Sequence, residues 1–219
     1  MLTDVLQRED YGLCLSPGFF RIYALVGVLQ ALNENKCLRA KACSGSSAGA
    51  LVGGFYASGM EINEMPDRIF SIKRMDIWDV SFGFGLLKGN LLQNILEQNL
   101  PVKTFEECKI PMGITAYDIL GCRTRLITSG NLATSIRASC CFPGLFQPVM
   151  IDSSPHIDGG IFDHCGLMAL PYLPSSNLVV NVVCGKNRIA SSVLPERFKH
   201  ARVSKDICKY FPRFNPLIV

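Results

Sequence analysis

Short apolar runs alternate along this chain with stretches that keep helical spacing. Residues 11–15 form an apolar run that Ser16-Pro17-Gly18 breaks, which reads as a buried first strand. Beyond the break, Tyr23, Val26, Leu29 and Leu32 recur at helical intervals and predict a helix over 20–33. A second strand over 41–44 leads into small residues, and the helix after Ser47 is apolar on most faces, so it is expected to be buried and to stop at Gly59. A polar helix is expected over 61–74, then a Gly- and Phe-rich surface loop over 78–89, then a helix capped by Asn90 and running to Asn99. Residues 110–117 and 123–128 read as strands joined in a hairpin through 118–121, and 133–141 as a short helix ended by Pro143-Gly144. The run 178–184 is apolar and β-branched, the clearest strand of the second half. Strands alternating with helices predict an α/β sandwich with a largely parallel sheet. There is no internal repeat and no low-complexity segment.

The totals narrow this picture. A chain of 219 residues predicts one domain spanning 1–219, and 48% hydrophobic with 18% charged residues excludes a disordered chain. No window approaches the ~18 consecutive apolar residues of a membrane span. The start, Met1-Leu2-Thr3-Asp4-Val5, lacks the basic patch and apolar run of a signal peptide, so a soluble, cytoplasmic protein is expected. Ten cysteines raise the question of a disulfide framework, but no Cys-x-x-Cys pair exists and Cys14, Cys43 and Cys184 sit in strand-like runs. Reduced core thiols, with no metal site, are the expectation. The net charge of +4 is uneven: 186–219 carries +6 and the remainder −2.

Candidate chemistry centres on Ala42-Cys43-Ser44-Gly45-Ser46-Ser47-Ala48-Gly49, which contains Gly-x-Ser-x-Gly about Ser47. A serine at a sharp strand-to-helix turn is lifted out of the sheet, and close packing there leaves room only for Gly45 and Gly49 on either side. The helix start adds free N–H groups and a partial positive charge. Such a hydroxyl needs a base. Among His156, His164 and His200, the order of a Ser-Asp-His triad favours His200, but His200 lies in a charged, helix-like segment whose solvated face accounts for it as well. Asp158, in Ile157-Asp158-Gly159-Gly160, is the better candidate, a carboxylate on a tight turn.

These blocks together resemble the patatin-like phospholipase family. The family's opening is matched by Gly18, Arg21, Gly27-Val28-Leu29, Gly45-x-Ser47-x-Gly49 and Tyr56-Ala57-Ser58-Gly59, in that order. Its later block is matched by Ala138-Ser139, Pro143, Phe146-Gln147-Pro148-Val149 and Asp158-Gly159-Gly160. The resemblance implies a three-layer α/β/α sandwich that cleaves fatty-acyl esters with a Ser-Asp dyad and no histidine, metal or cofactor. Ser47 would be the nucleophile and Asp158 the base, with the loop of Gly18, Phe19 and Arg21 and the N–H of Ala48 serving the oxyanion. This loop departs from the family's glycine-rich pattern at Pro17, Phe19 and Ile22. His164-Cys165-Gly166 stands where the family often has Asn-x-Pro.

The expectation is therefore a lipid acyl hydrolase acting on phospholipids or acylglycerols. An inactive relative that binds or regulates, and an acyltransferase using the same dyad, remain as alternatives. Phe82, Phe84, Leu86 and Leu87 suit an acyl-chain site or lid, or plain surface packing. The basic, aromatic segment 186–219 suits peripheral contact with an anionic membrane, against a solvated helix as the plainer explanation. Confinement of the excess charge to this segment argues against a nucleic-acid partner. Oligomeric state is not legible.

Overall fold

One strand organises the sheet: β4 (Met112–Asp118), buried along nearly all its length. Its neighbours follow from the computed structural model, which describes residues 6–7, 10–169 and 173, and the backbone of 179–182. On one edge of β4 lies β5 (Arg123–Ile127), antiparallel, with Asp118 opposite Arg123. This is the hairpin expected from Asp118 to Gly121. The other edge is shared. Strand β2 (Ala40–Ser46) runs parallel to its first half, with Ser46 opposite Thr115. Strand β8 (Ser154–Asp158) runs antiparallel to its second half, with Asp158 opposite Ala116. Strands have two edges, and β5 already occupies the other one. The C-terminal ends of β2 and β8 therefore meet head-on against adjacent residues of β4.

The sheet continues outward from β2 through β1 (Tyr11–Leu15) to β9 (Val179–Val182), both parallel to it. From β8 it continues to the antiparallel β7 (Val149–Ile151). Among the described strands only β5 and β8 run against the rest, so the largely parallel sheet read from the pattern is present. With the helices packed against it, it makes an α/β/α sandwich.

Helix α1 (Ile22–Glu34) buries Val26, Leu29 and Leu32 of the stripe that the spacing gave, together with Leu25, while Tyr23 at its start is exposed. Helix α2 (Ala48–Ala57) follows Ser47 and is buried on nearly every face. It lies so close to the strands that a Cβ on Gly49 would sit 2.0 Å from the carbonyl oxygen of Leu15, and one on Gly45 would sit 2.3 Å from that of Gly49. The glycines on either side of Ser47 are therefore required by backbone approach. Cys14, Cys43, Cys108, Cys122, Cys140 and Cys141 carry free thiols.

The remaining elements depart from the pattern in three places. The polar helix expected over 61–74 shortens to α3 (Met65–Phe70), with Pro66 in its first turn, followed by a 3₁₀ turn at Arg74–Ile77. The expected loop over 78–89 contains β3 (Gly85–Leu87), which pairs with β6 (Gly144–Phe146) in a small second sheet. Pairing partners nearly sixty residues apart leave no trace in local periodicity. Helix α4 (Asn90–Asn99) begins where expected, but the Asn90 side chain is not its cap. The carboxylate of Asp79 instead accepts from the N–H groups of Gly89, Asn90 and Leu91. Helix α5 (Leu132–Ser139) is capped by Asn131, whose side chain accepts from Thr134 N–H.

The close approach at Gly49 predicts a stability contrast within α2. Gly49→Ala gains about 1 kcal/mol of helix propensity but drives a methyl into strand backbone, so a net loss of roughly 2 kcal/mol is expected. Gly54→Ala meets only the tip of the Ile136 side chain, which can rotate away, and costs less. Urea unfolding of the two variants checks the order.

Candidate active site

The head-on meeting of β2 and β8 places the residue after one strand beside the last residue of the other. Ser47 Oγ donates to Asp158 Oδ2 at 2.7 Å. Ser47 sits at φ 51°, ψ −120°, a conformation that L-residues rarely adopt, between the last residue of β2 and the first turn of α2. A non-glycine residue held there marks a turn fixed by its surroundings.

Three consecutive residues at the C-terminal end of α5 supply that fixing. Ser139 Oγ accepts from Ser47 N–H at 2.8 Å and donates to the Thr115 carbonyl at 2.7 Å. The Cys140 thiol donates to the Ser47 carbonyl at 3.3 Å. The Cys141 carbonyl accepts from Asp158 N–H at 2.9 Å. One turn of chain thus grips both backbone groups of Ser47 and the amide of Asp158.

Asp158 is nearly buried, and its other oxygen accepts from Gly160 N–H at 2.7 Å. Burial pushes its carboxyl above the ordinary value, against the opposing pull of the Ser47 hydroxyl and the Gly160 amide. A Cβ on Gly159 would stand 2.1 Å from the Thr115 carbonyl, so the Asp-Gly-Gly turn presses directly on β4. Burial also raises the Cys140 thiol, and the nearby Asp158 carboxyl adds to it, which keeps that sulfur protonated and unsuited to attack.

The loop before α1 folds over this turn. A Cβ on Gly160 would meet the Pro17 ring at 2.6 Å. Gly18 sits at φ 134°, open in practice only to glycine, and its carbonyl accepts from Arg21 N–H. The Arg21 guanidinium donates to the Pro17 carbonyl at 3.3 Å, so it braces the loop. The N–H groups of Gly18, Phe19 and Ala48 donate to no partner among the described residues.

Of the histidines, His156 is buried with its Nδ1 against the Ser154 carbonyl at 2.9 Å, and His164 is exposed in the loop after Asp158. Neither bonds to Ser47 or Asp158. His200, and the segment 186–219 expected to meet membrane, lie outside the described residues.

Two participants escaped the sequence reading. Thr115 is the point on β4 where β2 stops. Asp163 is a buried carboxylate that accepts from Leu167 N–H and Thr115 Oγ1, each at 3.1 Å, and from Met168 N–H at 3.3 Å. It ties the chain after Asp158 back to β4, and burial raises its carboxyl too. Residue type gave no signal for either, since their side chains meet only once β4 and the chain after Asp158 are brought together. Ser139 was visible only as part of a matched block. Among the described residues no His, Cys, Asp and Glu cluster suits a metal.

A strand–serine–helix turn with a carboxylate partner, on an α/β/α sandwich, defines a class of fold and site. The comparisons give the family. The patatin-like phospholipase family model matches residues 13–171, and the chain belongs to that family. An uncharacterized NTE family protein of Mycobacterium tuberculosis is 29% identical over 198 residues, covering 89% of this chain and 53% of that protein. A lysophospholipase NTE1 of Cryptococcus neoformans is 27% identical over 172 residues, covering 75% of this chain and 10% of that protein. The chain thus spans about half the length of the mycobacterial relative and a tenth of the fungal one. VipD of Legionella pneumophila shares the fold, with a TM-score of 0.59 at 17% identity over 70% of this chain and 46% of that one.

The raised carboxyl of Asp158 makes a stability prediction. The folded chain holds this proton more tightly than the unfolded chain does, so ionising Asp158 costs stability. The cost is absent below the ordinary carboxylate value of about 3.9. It develops as pH rises through the higher folded value and is complete at neutral pH. Asp158→Asn removes it. Thermal melts should show the variant at least as stable as the parent at neutral pH, with the advantage gone near pH 3.5.

Proposed function

We propose that this chain is a lipid acyl hydrolase in which Ser47 and Asp158 form the catalytic dyad. The observation that carries the reading is the 2.7 Å bond from Ser47 Oγ to Asp158 Oδ2 at a strained strand-to-helix turn. Ser47 Oγ attacks the ester carbonyl carbon while its proton passes to Asp158. The carbonyl oxygen becomes an oxyanion, and the N–H groups of Gly18, Phe19 and Ala48 are available to it because no group among the described residues takes them. Ser47 N–H is not, since Ser139 holds it. The C–O bond to the leaving alcohol then breaks, and Asp158 returns the proton to that oxygen. Water attacks the acyl-enzyme, gives its proton to Asp158, and the fatty acid departs as Ser47 regains its hydrogen. No step needs a metal or cofactor.

Burial of Asp158 serves this chemistry. A carboxylate at its ordinary pKa is a weak base near neutrality, and desolvation strengthens it. The departures in the 17–22 loop do not remove what the reaction needs. Pro17 has no N–H to give, but Gly18 keeps a glycine-only conformation, and Arg21 fastens the loop through the Pro17 carbonyl. These features favour an active enzyme over an inactive relative.

The fungal relative's name supports a lysophospholipid as first substrate to try, within the broader class of phospholipids and acylglycerols. A single patatin-like domain over 1–219 belongs to the same proposal, supported by the return of β9 to pair with β1. Among the described residues no helix is long and apolar enough to cross a membrane. The substrate then meets the protein from a lipid surface or as a dispersed monomer.

Hydrolysis of lysophosphatidylcholine tests the dyad. Ser47→Ala and Asp158→Asn should each lower kcat by three orders of magnitude or more, on the order of 4 kcal/mol. His156→Ala, His164→Ala and His200→Ala should each keep most of it. Because Asp158 must be ionised and its carboxyl is raised, the acid limb of kcat/KM should lie above the ordinary value of about 3.9. Loss of activity in folded His200→Ala equal to that in Asp158→Asn would replace the dyad with a triad. Formation of an added acceptor's acyl ester in place of free fatty acid would mark a transferase, and an inactive folded parent would mark a binding protein.

A further inference from the structure

Most exposed apolar side chains need no explanation, but the phenylalanines here are not scattered. Every described phenylalanine that is more than half exposed is one of Phe19, Phe20, Phe82, Phe84, Phe142 and Phe162. They come from four separate segments of chain, and each segment is joined to the dyad by contacts already described or by one more.

Phe19 and Phe20 follow Gly18, on the loop that covers Gly160. Phe142 adjoins Cys141, whose carbonyl holds Asp158 N–H. Phe162 lies on the turn after Asp158, with its ring stacked on Tyr117 at 4.4 Å between centroids. Phe82 and Phe84 are essentially fully exposed. Their loop rests on the 142–147 segment: Gln147 Nε2 donates to the Phe82 carbonyl at 3.3 Å, and a Cβ on Gly85 would meet Phe146 backbone at 2.4 Å. Gln147 N–H donates to the Leu87 carbonyl, and the Cys141 thiol to the Gln147 carbonyl at 3.0 Å. The segments that carry the rings are therefore linked to one another and to the chain around Ser47 and Asp158.

Charge on the same segments decides what they meet. Residues 80–87 and 140–147 contain no Asp, Glu, Lys or Arg. The loop 17–21 has only Arg21, and 159–165 only Asp163, which is buried. Asp79, at the edge, is committed to the start of α4. An apolar rim without free carboxylates, joined to the dyad by these contacts, fits a surface that is neutral overall and apolar just beneath. A strongly anionic partner would call for a basic rim, which is absent from these segments.

We infer that these six phenylalanines form an interfacial docking surface that inserts into a zwitterionic phospholipid surface and seats the Ser47–Asp158 mouth on it. The inference rests on the proposed lipid hydrolase for its choice of partner. Docking by ring insertion is insensitive to salt, because screening acts on charge and not on apolar burial. It also gives Phe82 and Phe84, which no intramolecular packing covers, a task that the acyl-chain or lid reading of this loop does not require.

The test is sedimentation of the full chain with sucrose-loaded phosphatidylcholine vesicles at low salt and at about 0.5 M salt, beside a Phe82→Ser/Phe84→Ser double variant. Both positions are exposed and lie outside the catalytic groups, so melting and turnover of a soluble short-chain ester should match the parent. The parent should bind equally at both salt concentrations. The double variant should bind tenfold to a hundredfold more weakly, the range that losing two partly inserted rings gives at about 1.5–3 kcal/mol per fully buried Phe side chain. Equal binding of parent and variant overturns the inference. So does parent binding that needs anionic lipid and vanishes in salt, which would assign docking to charge. A parent that sediments as a dimer while the variant is monomeric overturns it too, since a second copy would then cover the rim. A parent that binds these vesicles through Phe82 and Phe84 yet cleaves no soluble ester supports the docking surface while removing the catalytic reading.

Discussion

The site depends on two strands ending against one edge of a third. Strand β2 climbs along β4 until Ser46 faces Thr115, and β8 descends until Asp158 faces the next residue, Ala116. With the edge fully occupied, the chain must leave the sheet at both ends. Ser47 turns out into α2 and Asp158 into the Gly159-Gly160 turn, and the two side chains are left facing each other. Everything else serves that junction. Glycines flank Ser47 because α2 must lie on the carbonyl of Leu15. The end of α5 holds the amides of both residues, and Asp163 fastens the outgoing chain to Thr115.

Such a junction is costly in two ways. Ser47 is held at positive φ, and a carboxylate is kept away from water. Neither would persist without surroundings that over-determine it. Here the over-determination is visible as hydrogen bonds: Ser139, Cys140 and Cys141 each use a different group, so no single one of them can shift without releasing the serine, the aspartate or both. The same desolvation that lowers stability makes Asp158 a stronger base. A site of this kind is expected to be less stable than its neutral counterpart and more reactive for it.

The sequence carried a large part of this and lost the rest for physical reasons. Strands β1 and β4 were legible as apolar runs, β2 as the stretch leading into the serine turn, α1 through apolar residues at helical spacing, and α2 because it is apolar on most faces. The small residues around Ser47 and the Asp-Gly-Gly turn were legible because close backbone approach admits few residue types. Strand β3 was not, since its pairing with β6 depends on contacts remote in sequence. The cap of α4 was misassigned to Asn90 because the true cap, Asp79, reaches it from eleven residues away. Thr115 and Asp163 left no signature, because their side chains, forty-eight residues apart, meet only in the folded chain. That Ser47 and Asp158 lie together is a property of strand order, which only the resemblance had implied.

The central claim is that Ser47 is the one activated hydroxyl of this chain. Peptide mass spectrometry after exposure to a fluorophosphonate ester tests it directly, because the reagent bonds covalently to a serine that is deprotonated on demand and leaves ordinary hydroxyls untouched. The account predicts one adduct, on the peptide carrying Ser47, and none on that peptide in Asp158→Asn. An adduct on a different serine, or labelling of Ser47 that is undiminished when Asp158 is replaced, would contradict it.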